Sequence, residues 1–300
     1  WWLKIPLGDL YIDEADHANF SNKLLDSIIP TLKKYNDKDE EINGIIAAYK
    51  NSDILKVSTL IENIIAPYLA LEIPNNVDIS VVVCTRNRSE SLKNCLDSLN
   101  NQICKAREII VVDNAPTDNS TKLVSELYEN VTYCKEPRPG LDIARNTGAR
   151  MAKCPIVAYT DDDVSVDSLW CYRIGETFLQ ENIDAMTGLV LASSLETESQ
   201  QIFEKKWGFN KGYQDIYFNN DFISKSVTAP KVWDIGAGAN MAFRKSAIEK
   251  VNYFDDRLDV GAAGCSGDSE IWFRILDNNM TIHYNPRAYV YHEHRKELKQ

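Results

Sequence analysis

The sequence predicts an α/β fold in which helices flank a mostly parallel sheet, preceded by a small, mainly helical segment. Three observations predict this fold, the first being apolar residues at helical spacing through residues 1–76. From residue 77 onwards, short β-branched runs alternate with amphipathic helical patterns, which is typical of parallel strands joined by right-handed crossovers. Acidic residues directly follow several of these runs. We therefore predict an accessory segment over residues 1–76 and an α/β domain over residues 77–300.

The charge balance excludes some partners. The chain has 300 residues, with 44 Asp plus Glu against 33 Lys plus Arg, a formal net charge of −11. This excess of negative charge argues against non-specific attraction to nucleic acid or anionic lipid. We expect no nucleic-acid partner, and a phosphate-bearing substrate would need a local cation.

Cysteine usage and hydropathy indicate a cytoplasmic protein. The seven cysteines are scattered without a Cys-x-x-Cys pair, so neither a zinc knuckle nor a disulfide framework is predicted. No stretch approaches the roughly 18 to 20 apolar residues of a transmembrane span, and none has the pattern of a signal peptide. We expect reduced thiols and a cytoplasmic location, with peripheral contact at the inner face of a membrane left open. The chain begins at Trp1 rather than Met, so targeting information could lie upstream.

The accessory segment carries no clear catalytic signal. Residues 1–5 and 10–12 are candidate short strands, and apolar spacing then predicts a helix that ends at Pro30. A second helical pattern runs over residues 45–67. We interpret the polar group Asp13, Glu14, Asp16 and His17 as a solvated helix start rather than a metal site, and residues 74–76 as a linker.

Four buried strands are predicted at residues 79–84, 109–112, 131–134 and 156–160, with helices between them. Ligands bind at the carboxyl ends of the strands in such sheets. Arg86, Asp113 and the acids 161–163 all follow strands, so we expect them in one crevice.

Three consecutive carboxylates, Asp161, Asp162 and Asp163, end the fourth strand. Such side chains repel one another unless they are solvated or charge-compensated. Oxygen ligands on a divalent ion indicate Mg²⁺ or Mn²⁺, usually shared with substrate phosphates. An acidic loop facing water is the alternative.

The phosphate-binding loops of two common classes are missing. No Gly-x-Gly-x-x-Gly follows the first strand and no Gly-x-x-x-x-Gly-Lys-Ser/Thr occurs, which disfavours a dinucleotide oxidoreductase and a P-loop NTPase. A nucleoside diphosphate bridged by a metal fits better. Asp113 can accept a hydrogen bond from a base or ribose, and Arg145 can approach a phosphate. The alternatives are a strand-end turn for Asp113 and a helix-surface ion pair for Arg145.

Six segments resemble the family 2 glycosyltransferases in their order and rough spacing: residues 80–88, 109–114, 139–148, 159–164, 238–244 and 267–274. The resemblance covers about residues 77–295. It implies a Rossmann-like GT-A fold, a nucleotide-sugar donor, a divalent metal held by an Asp-x-Asp motif, and inversion at the anomeric carbon. The enzyme would be of the hexosyltransferase type.

The resemblance also implies roles for residues of this chain. Asp113 is similar to the base or ribose contact, Asp161 to the ribose-side acid and Asp163 to the metal ligand. The expected donor site comprises Thr85, Arg86, Asn87, Asp113, Arg145, Asp161 and Asp162. The expected acceptor site comprises Gly238, Asn240 and Trp272.

Asp268 is the predicted catalytic base. Inverting transfer needs a carboxylate that deprotonates the acceptor hydroxyl as it attacks. In the family an acidic pair begins a helix. Another acid lies two residues after the second member of the pair, and an Arg lies six residues after it. Here the pair is Gly267-Asp268, with Glu270 and Arg274 in place, so the first acid is absent. Glu270 is the second candidate, and a helix N-cap is the structural alternative for Asp268.

Two further features border the predicted site. Residues 196–232 form an aromatic-rich segment without a regular pattern. Its rings are predicted either to belong to a lid that stacks on sugars or to pack in the core. His292 and His294 lie on the same side of a terminal strand. In related enzymes a His in this region completes the metal coordination or contacts the diphosphate, and we favour His292. Solvent-exposed histidines are the alternative.

The leading hypothesis is an inverting, metal-dependent glycosyltransferase in cell-surface polysaccharide biosynthesis. It would use a nucleoside-diphosphate sugar, with a UDP-sugar favoured, and a saccharide or lipid-linked acceptor. A sugar nucleotidyltransferase is the first alternative, although residues 85–88 contain no glycine for its phosphate loop. A non-catalytic nucleotide-sugar or glycan-binding module is the second, because of the missing acid before Asp268.

Overall fold

The structure is a computed structural model that describes residues 1–10, 20–36, 38–69, 72–226, 228–258 and 266–297. The chain divides into two compact units, Trp1–Glu72 with Gly212–Gln214, and Ile73–Lys211 with Asp215–Gln300. Each unit has its own apolar core. The candidate strand residues 11 and 12 and the polar group at residues 13–17 lie outside the described residues.

The first unit is helical. It contains α1 (Phe20–Tyr35), α2 (Asp39–Lys50), α3 (Ile54–Ile65) and a 3₁₀ helix (Ala66–Tyr68). The predicted end at Pro30 is wrong: α1 continues through it, with Leu25 and Leu32 buried on either side. Their packing outweighs the backbone hydrogen bond that proline removes.

The second helical pattern of this unit is two helices rather than one. The chain breaks between α2 and α3, where Asp53 caps α3 by accepting a hydrogen bond from the Lys56 N–H at 3.1 Å. At the start of the unit, Trp2 and Ile5 form an isolated antiparallel bridge instead of a strand.

The described part of the second unit forms a nine-stranded sheet with helices. Its strands are β1 (Asn76–Thr85), β2 (Lys105–Asn114), β3 (Val131–Glu136), β4 (Ile156–Asp161), β5 (Val164–Val166), β6 (Ala185–Ala192), β7 (Ile216–Phe218), β8 (Asn240–Arg244) and β9 (Ile282–His292). Its helices are α4 (Ser89–Asn100), α5 (Ser120–Ser125), α6 (Leu141–Met151), α7 (Trp170–Thr177), α8 (Glu198–Trp207), α9 (Asn220–Ser224), α10 (Lys245–Lys250) and α11 (Gly267–Asp277), with a 3₁₀ helix at Val232–Asp234.

The strand order is β3-β2-β1-β4-β8-β6-β9-β5, with β7 also paired to β9. The predicted parallel pairing of the first four strands is confirmed. In the second half β6 and β9 are parallel, whereas β8 pairs antiparallel with β4 and β6, and β9 pairs antiparallel with β5 and β7. Sequence patterns did not predict these antiparallel pairs. They bring the end of β9 beside the end of β4.

A glycine sets how closely α6 approaches the sheet. A Cβ on Gly148 would lie 2.3 Å from Cγ1 of Val82 in β1, so a larger residue would push the helix outward. The close packing fixes the N-terminus of α6, where Gly140 and Leu141 line a cleft described below.

The aromatic-rich segment is more regular than predicted, because α8, β7 and α9 all lie within residues 196–232. Helix α8 begins with a capping box between Thr197 and Gln200. Strand β7 follows Asp215, a carboxylate that Arg287 and His283 of β9 hold in place.

Replacing Asp215 with Asn is expected to lower the free energy of unfolding by about 2 kcal/mol at pH 7. Burial alone would raise the pKa of Asp215, but hydrogen bonds from His283 (2.7 Å) and Arg287 (2.6 and 2.9 Å) hold it at about 2, below the ordinary 3.8. A depressed carboxyl pKa contributes stability that is complete above pH 3.8 and is lost as the pH falls towards 2. Urea unfolding of both proteins from pH 7 down to pH 3 should therefore show a constant gap that narrows only below about pH 4.

Asp221→Asn is the matched control, because that carboxylate is 60% exposed and pairs with the exposed Lys225. We expect it to change stability by less than about 1 kcal/mol. A gap for Asp215→Asn that does not vary with pH would contradict the charge argument.

Among the described residues, no helix is both long enough and apolar enough to cross a membrane. The six described cysteines form no disulfide, and all but Cys134 are buried.

Candidate functional site

The carboxyl ends of β1 and β4 border a cleft of about 330 Å³. Adjacent registers place Thr85 opposite Asp113 and Cys84 opposite Asp161. The lining residues are Cys84, Thr85, Arg86, Arg88, Asn114, Gly140, Leu141, Asp161, Asp162, Asp163 and His292. Arg86 and the three acids thus line one cleft at the strand ends, as predicted.

The middle acid, Asp162, points into the protein. The Thr85 hydroxyl donates to it at 2.7 Å and the Arg88 guanidinium donates at 3.0 Å. Burial raises its pKa to about 6, although both hydrogen bonds favour the charged form. Arg88 also donates to Asp163 at 3.0 Å, so one cation offsets part of the repulsion between two neighbouring carboxylates.

The outer acids and a histidine form a group suited to a metal. One ligand atom each from Asp161, Asp163 and His292 lie within 4.8 Å of one another. Within the described parts of the chain, this is the one group of at least three His, Cys, Asp or Glu side chains whose ligand atoms lie this close together. Two carboxylates suit Mg²⁺ or Mn²⁺, and an imidazole shifts the preference towards a transition metal, so the donor set fits Mn²⁺ well.

The structure separates the two histidines at the end of β9. Nε2 of His292 lies 3.5 Å from Oδ1 of Asp163, and the ring lines the cleft. His294 lies behind it, with Nδ1 3.1 Å from Nδ1 of His292 and Nε2 2.9 Å from Glu204. His292, and not His294, therefore faces the acids.

Asp113 lies beneath the cleft rather than on its surface. Its side chain is fully buried, and the hydroxyls of Thr121 and Tyr133 both donate to Oδ2, the latter at 2.9 Å. Within the described chain, Oδ1 has no hydrogen-bond partner although it is buried. One acceptor atom is therefore left for a further donor.

The turn after β1 has one available cation. Arg86 is exposed, lines the cleft and makes no hydrogen bond or ion pair within the described residues. Asn87 has φ of +54° and accepts a hydrogen bond from the Thr117 N–H at 3.0 Å, so it links this turn to the loop after β2. The thiol of Cys84 is not a nucleophile here, because burial raises its pKa to about 12.

Arg145 is buried and does not line the cleft. Its guanidinium donates to Asp142 at 2.9 Å and lies 5.4 Å from the ring centroid of Phe254. A Cβ on Gly238 would come within 2.7 Å of it, so Gly238 makes room for this buried pair. The alternative was an ion pair on the helix surface; the ion pair with Asp142 lies within α6 but is buried.

Asp268 and Glu270 differ in their surroundings on α11. Oδ2 of Asp268 accepts a hydrogen bond from the Gly238 N–H at 3.0 Å. Both oxygens of Glu270 are held by Arg274, each at 2.5 Å. Oδ1 of Asp268 accepts from the Ser269 N–H at 2.7 Å. Glu270 is thus held by a cation, whereas Asp268 is held by backbone N–H groups and connects the helix start to the segment before β8.

Two predicted acceptor residues need correction. Asn240 is buried, where its amide accepts from the Trp170 indole and donates to the carbonyls of Leu189 and Ala288. Trp272 is also buried, stacked on Phe243 at 5.2 Å between ring centroids, and it donates to the Gly236 carbonyl. Both side chains are occupied in the core and neither can reach an acceptor.

A second cavity, of about 420 Å³, shares His292 with the cleft. Part of its lining is aromatic: Phe203, Trp207 and Phe209. Trp207 is 63% exposed, so these rings are not solely core packing.

Sequence reasoning missed three residues of this region. Arg88 was regarded as part of a polar turn and Asn114 as a strand end, and Glu204 was given no role. The side chain of Asn114 attaches the end of β2 to the loop between β3 and α6, since it donates to the Arg138 carbonyl and accepts from the Gly140 N–H. The only local signal was the Asp-Asn pair at residues 113–114.

Comparisons with known proteins give a family match and several relatives. The profile of Glycosyl transferase family 2 matches residues 80–251, more than half of the chain. The chain is 23% identical over 226 residues to glycosyltransferase GlyA of Streptococcus pneumoniae serotype 4, covering 74% of this chain and 31% of that protein. It is 24% identical over 234 residues to pre-mycofactocin glycosyltransferase of Mycobacterium tuberculosis, covering 75% and 45%. The matches thus span less than half the length of either relative.

A solved structure shows the same fold. TarS 1-349 of S. aureus, in complex with UDP-GlcNAc, has a TM-score of 0.52 and 18% identity, covering 74% of this chain and 60% of that one. At this identity the similarity concerns the fold alone, and it agrees with the GT-A architecture that the motifs imply. The sheet, the strand-end acids and the family match lead to one conclusion: the chain belongs to glycosyl transferase family 2.

Proposed function

We propose that this domain transfers one sugar from a nucleoside-diphosphate sugar to an acceptor hydroxyl, with inversion at the anomeric carbon, during cell-surface glycan synthesis. The observation that carries the proposal is the group formed by Asp161, Asp163 and His292 at the edge of the cleft. A divalent cation held there would offset the negative charge that develops on the leaving diphosphate.

The donor side is supported by two unpaired polar groups. Arg86 offers a free guanidinium at the cleft, and guanidinium groups bind phosphate oxygens in bidentate fashion. Oδ1 of Asp113 is a buried acceptor without a partner in the described chain, and a base or ribose donor would reach it only after the side chains that cover it move apart. We favour a UDP-sugar because an N–H of uracil suits that acceptor, and a protein of the same fold is known in complex with UDP-GlcNAc.

Asp268 is the proposed base. Both oxygens of Asp268 accept hydrogen bonds from neutral donors, Oδ2 from the Gly238 N–H and Oδ1 from the Ser269 N–H, and each keeps a further lone pair with which to take the acceptor proton. Glu270 is less suited because a cation, Arg274, holds both of its oxygens. The structure explains why the acid before Asp268 is missing. A Cβ on Gly267 would lie 2.1 Å from the Asp142 carboxylate, which leaves no room for a side chain.

The acceptor is a saccharide or a lipid-linked saccharide. The aromatic rings of Phe203, Trp207 and Phe209 lie in the cavity that shares His292 with the cleft. Sugars present flat apolar faces that stack on such rings. An acceptor in this cavity would lie one side chain away from the proposed metal ligands.

Calorimetric titration with UDP, GDP, dTDP and CDP, each with Mn²⁺ and with EDTA, tests the donor side. We expect UDP to bind most tightly and to require Mn²⁺. Binding of no nucleotide under either condition would contradict the proposal and leave the family resemblance as a statement about fold.

Transfer assays with the matching sugar nucleotide and a panel of saccharide acceptors test the reaction. Product of inverted anomeric configuration supports the proposal. Donor binding without hydrolysis or transfer would instead favour the alternative hypothesis of a nucleotide-sugar-binding module, which rests on the glycine at position 267.

A further inference from the structure

A chain of three side chains leads from the proposed metal site into α8. His292 contacts Asp163 through Nε2 and His294 through Nδ1, at 3.5 and 3.1 Å. His294 contacts Glu204 through Nε2 at 2.9 Å. Only 2% of the His294 side chain and 10% of the Glu204 side chain are exposed, so water competes little for these hydrogen bonds.

Proton positions along the chain follow from what each group can donate. A carboxylate only accepts, so Nε2 of His294 must carry the hydrogen that bonds to Glu204. In neutral His294 the other nitrogen, Nδ1, is then an acceptor, and Nδ1 of His292 must carry the hydrogen between the two rings. Nε2 of His292 is left with its lone pair directed towards the acids.

This tautomer is the one that a metal ligand requires. Histidines that bind metals generally donate their other ring N–H to a fixed partner, which sets the ring orientation and raises the basicity of the ligand. We infer that Glu204 and His294 are positioning residues, which hold His292 in the tautomer and orientation that bind a divalent cation at the donor site. The inference rests on the proposed function, since it takes the cation site as given.

Other contacts hold these three side chains in place. The Gln200 amide donates to the His294 carbonyl at 3.2 Å, and Gln200 is itself part of the capping box that starts α8. The ring of Phe203 lies 4.7 Å from that of His294, and the ring of Phe209 lies 5.7 Å from that of His292. Helix α8 is therefore attached to the cation site through side chains that no local motif joins.

The test compares two replacements of His294 by titration with Mn²⁺ in the presence of saturating UDP. His294→Phe keeps a ring against Phe203 but removes the acceptor for His292, and we expect Mn²⁺ to bind at least about tenfold more weakly. His294→Asn keeps an oxygen near the position of Nδ1, and we expect it to stay within about threefold of the wild type. The ¹⁴N modulation of bound Mn²⁺ in pulsed EPR, a signature of a coordinated imidazole, should weaken in His294→Phe and persist in His294→Asn.

Glu204→Gln provides a second variant in case the His294 replacements do not fold. Its amide can donate as well as accept, so it no longer dictates the tautomer, and we expect about tenfold weaker Mn²⁺ binding. Glu198→Gln is the matched control, because Glu198 is an exposed carboxylate on the same helix. We expect it to match the wild type.

Asp163→Ala separates failure of the inference from failure of the proposed function. If Asp163→Ala loses Mn²⁺ while His294→Phe and Glu204→Gln bind it normally with unchanged ¹⁴N modulation, the positioning role is overturned and the metal site stands. If the wild type binds no Mn²⁺, or Asp163→Ala binds it unchanged, the metal site fails and the inference fails with it.

Discussion

Replacing Asp268 with Asn is expected to lower kcat for sugar transfer by about 10³-fold while leaving Mn²⁺-dependent nucleotide binding unchanged, within the range typical of losing a general base. The amide cannot take the proton of the acceptor hydroxyl. Its one oxygen can still accept one of the two backbone N–H groups that Asp268 accepts, from Gly238 at 3.0 Å and Ser269 at 2.7 Å, so the start of α11 should keep most of its contacts. Initial rates at saturating donor and acceptor, together with calorimetric titration of the nucleotide, measure the two effects separately.

Two variants of α11 serve as comparisons. Glu270→Gln breaks a charge pair with Arg274, so we expect a lower Tm and a loss in kcat of less than about tenfold. Asp277→Asn makes the same chemical change as Asp268→Asn at an exposed position on the same helix, and it should behave as the wild type. A large loss in Glu270→Gln with little loss in Asp268→Asn would reverse the assignment of the base.

Asp163→Ala is expected to weaken Mn²⁺-dependent binding of UDP by more than about 100-fold, beyond the effect usual for an outer-shell residue. The change removes one of the three side chains whose ligand atoms lie within 4.8 Å of one another. It also removes one of the two carboxylates that share Arg88. Calorimetry with Mn²⁺, and again with EDTA, isolates the part of the affinity that depends on the metal.

Glu293→Gln is the matched control for this prediction. Its side chain is exposed, while its backbone N–H donates to the Asp163 carbonyl at 2.9 Å, so it lies beside the site without joining the group of ligands. We expect its Mn²⁺-dependent affinity to match the wild type. An equal loss in both variants would mean that general negative charge, and not coordination by Asp163, attracts the cation.

The sequence predicted the part of the site that depends on periodicity. Parallel strands align their carboxyl ends at one edge of the sheet. Three acids at the end of a buried parallel strand therefore lie at that edge, independently of the fold of the other segments. Arg86 and Asp161 through Asp163 were located in this way. The position of His292 beside the cleft also followed from where an apolar run ended.

The rest depended on long-range packing that no local pattern records. Asn240 and Trp272 belong to motifs that resemble functional ones, yet their polar atoms bond to core carbonyls and rings. Arg88 contacts the acids from a turn after β1 in which Asn87 has φ of +54°, a backbone conformation that no local pattern indicated. Glu204 meets His294 because α8 contacts the segment that follows β9, and nothing in the spacing of the two residues predicted this contact.

The antiparallel pairing of β5 with β9 brings together two members of the proposed metal site that lie far apart along the chain, Asp163 just before β5 and His292 at the end of β9. An unfolded chain cannot offer these side chains together, so a cation that binds here binds the native state almost exclusively. By mass action, Mn²⁺ at 100 times its dissociation constant would add about 2.7 kcal/mol to the free energy of unfolding. Resistance of the domain to heat and proteolysis would then vary with the cation supply.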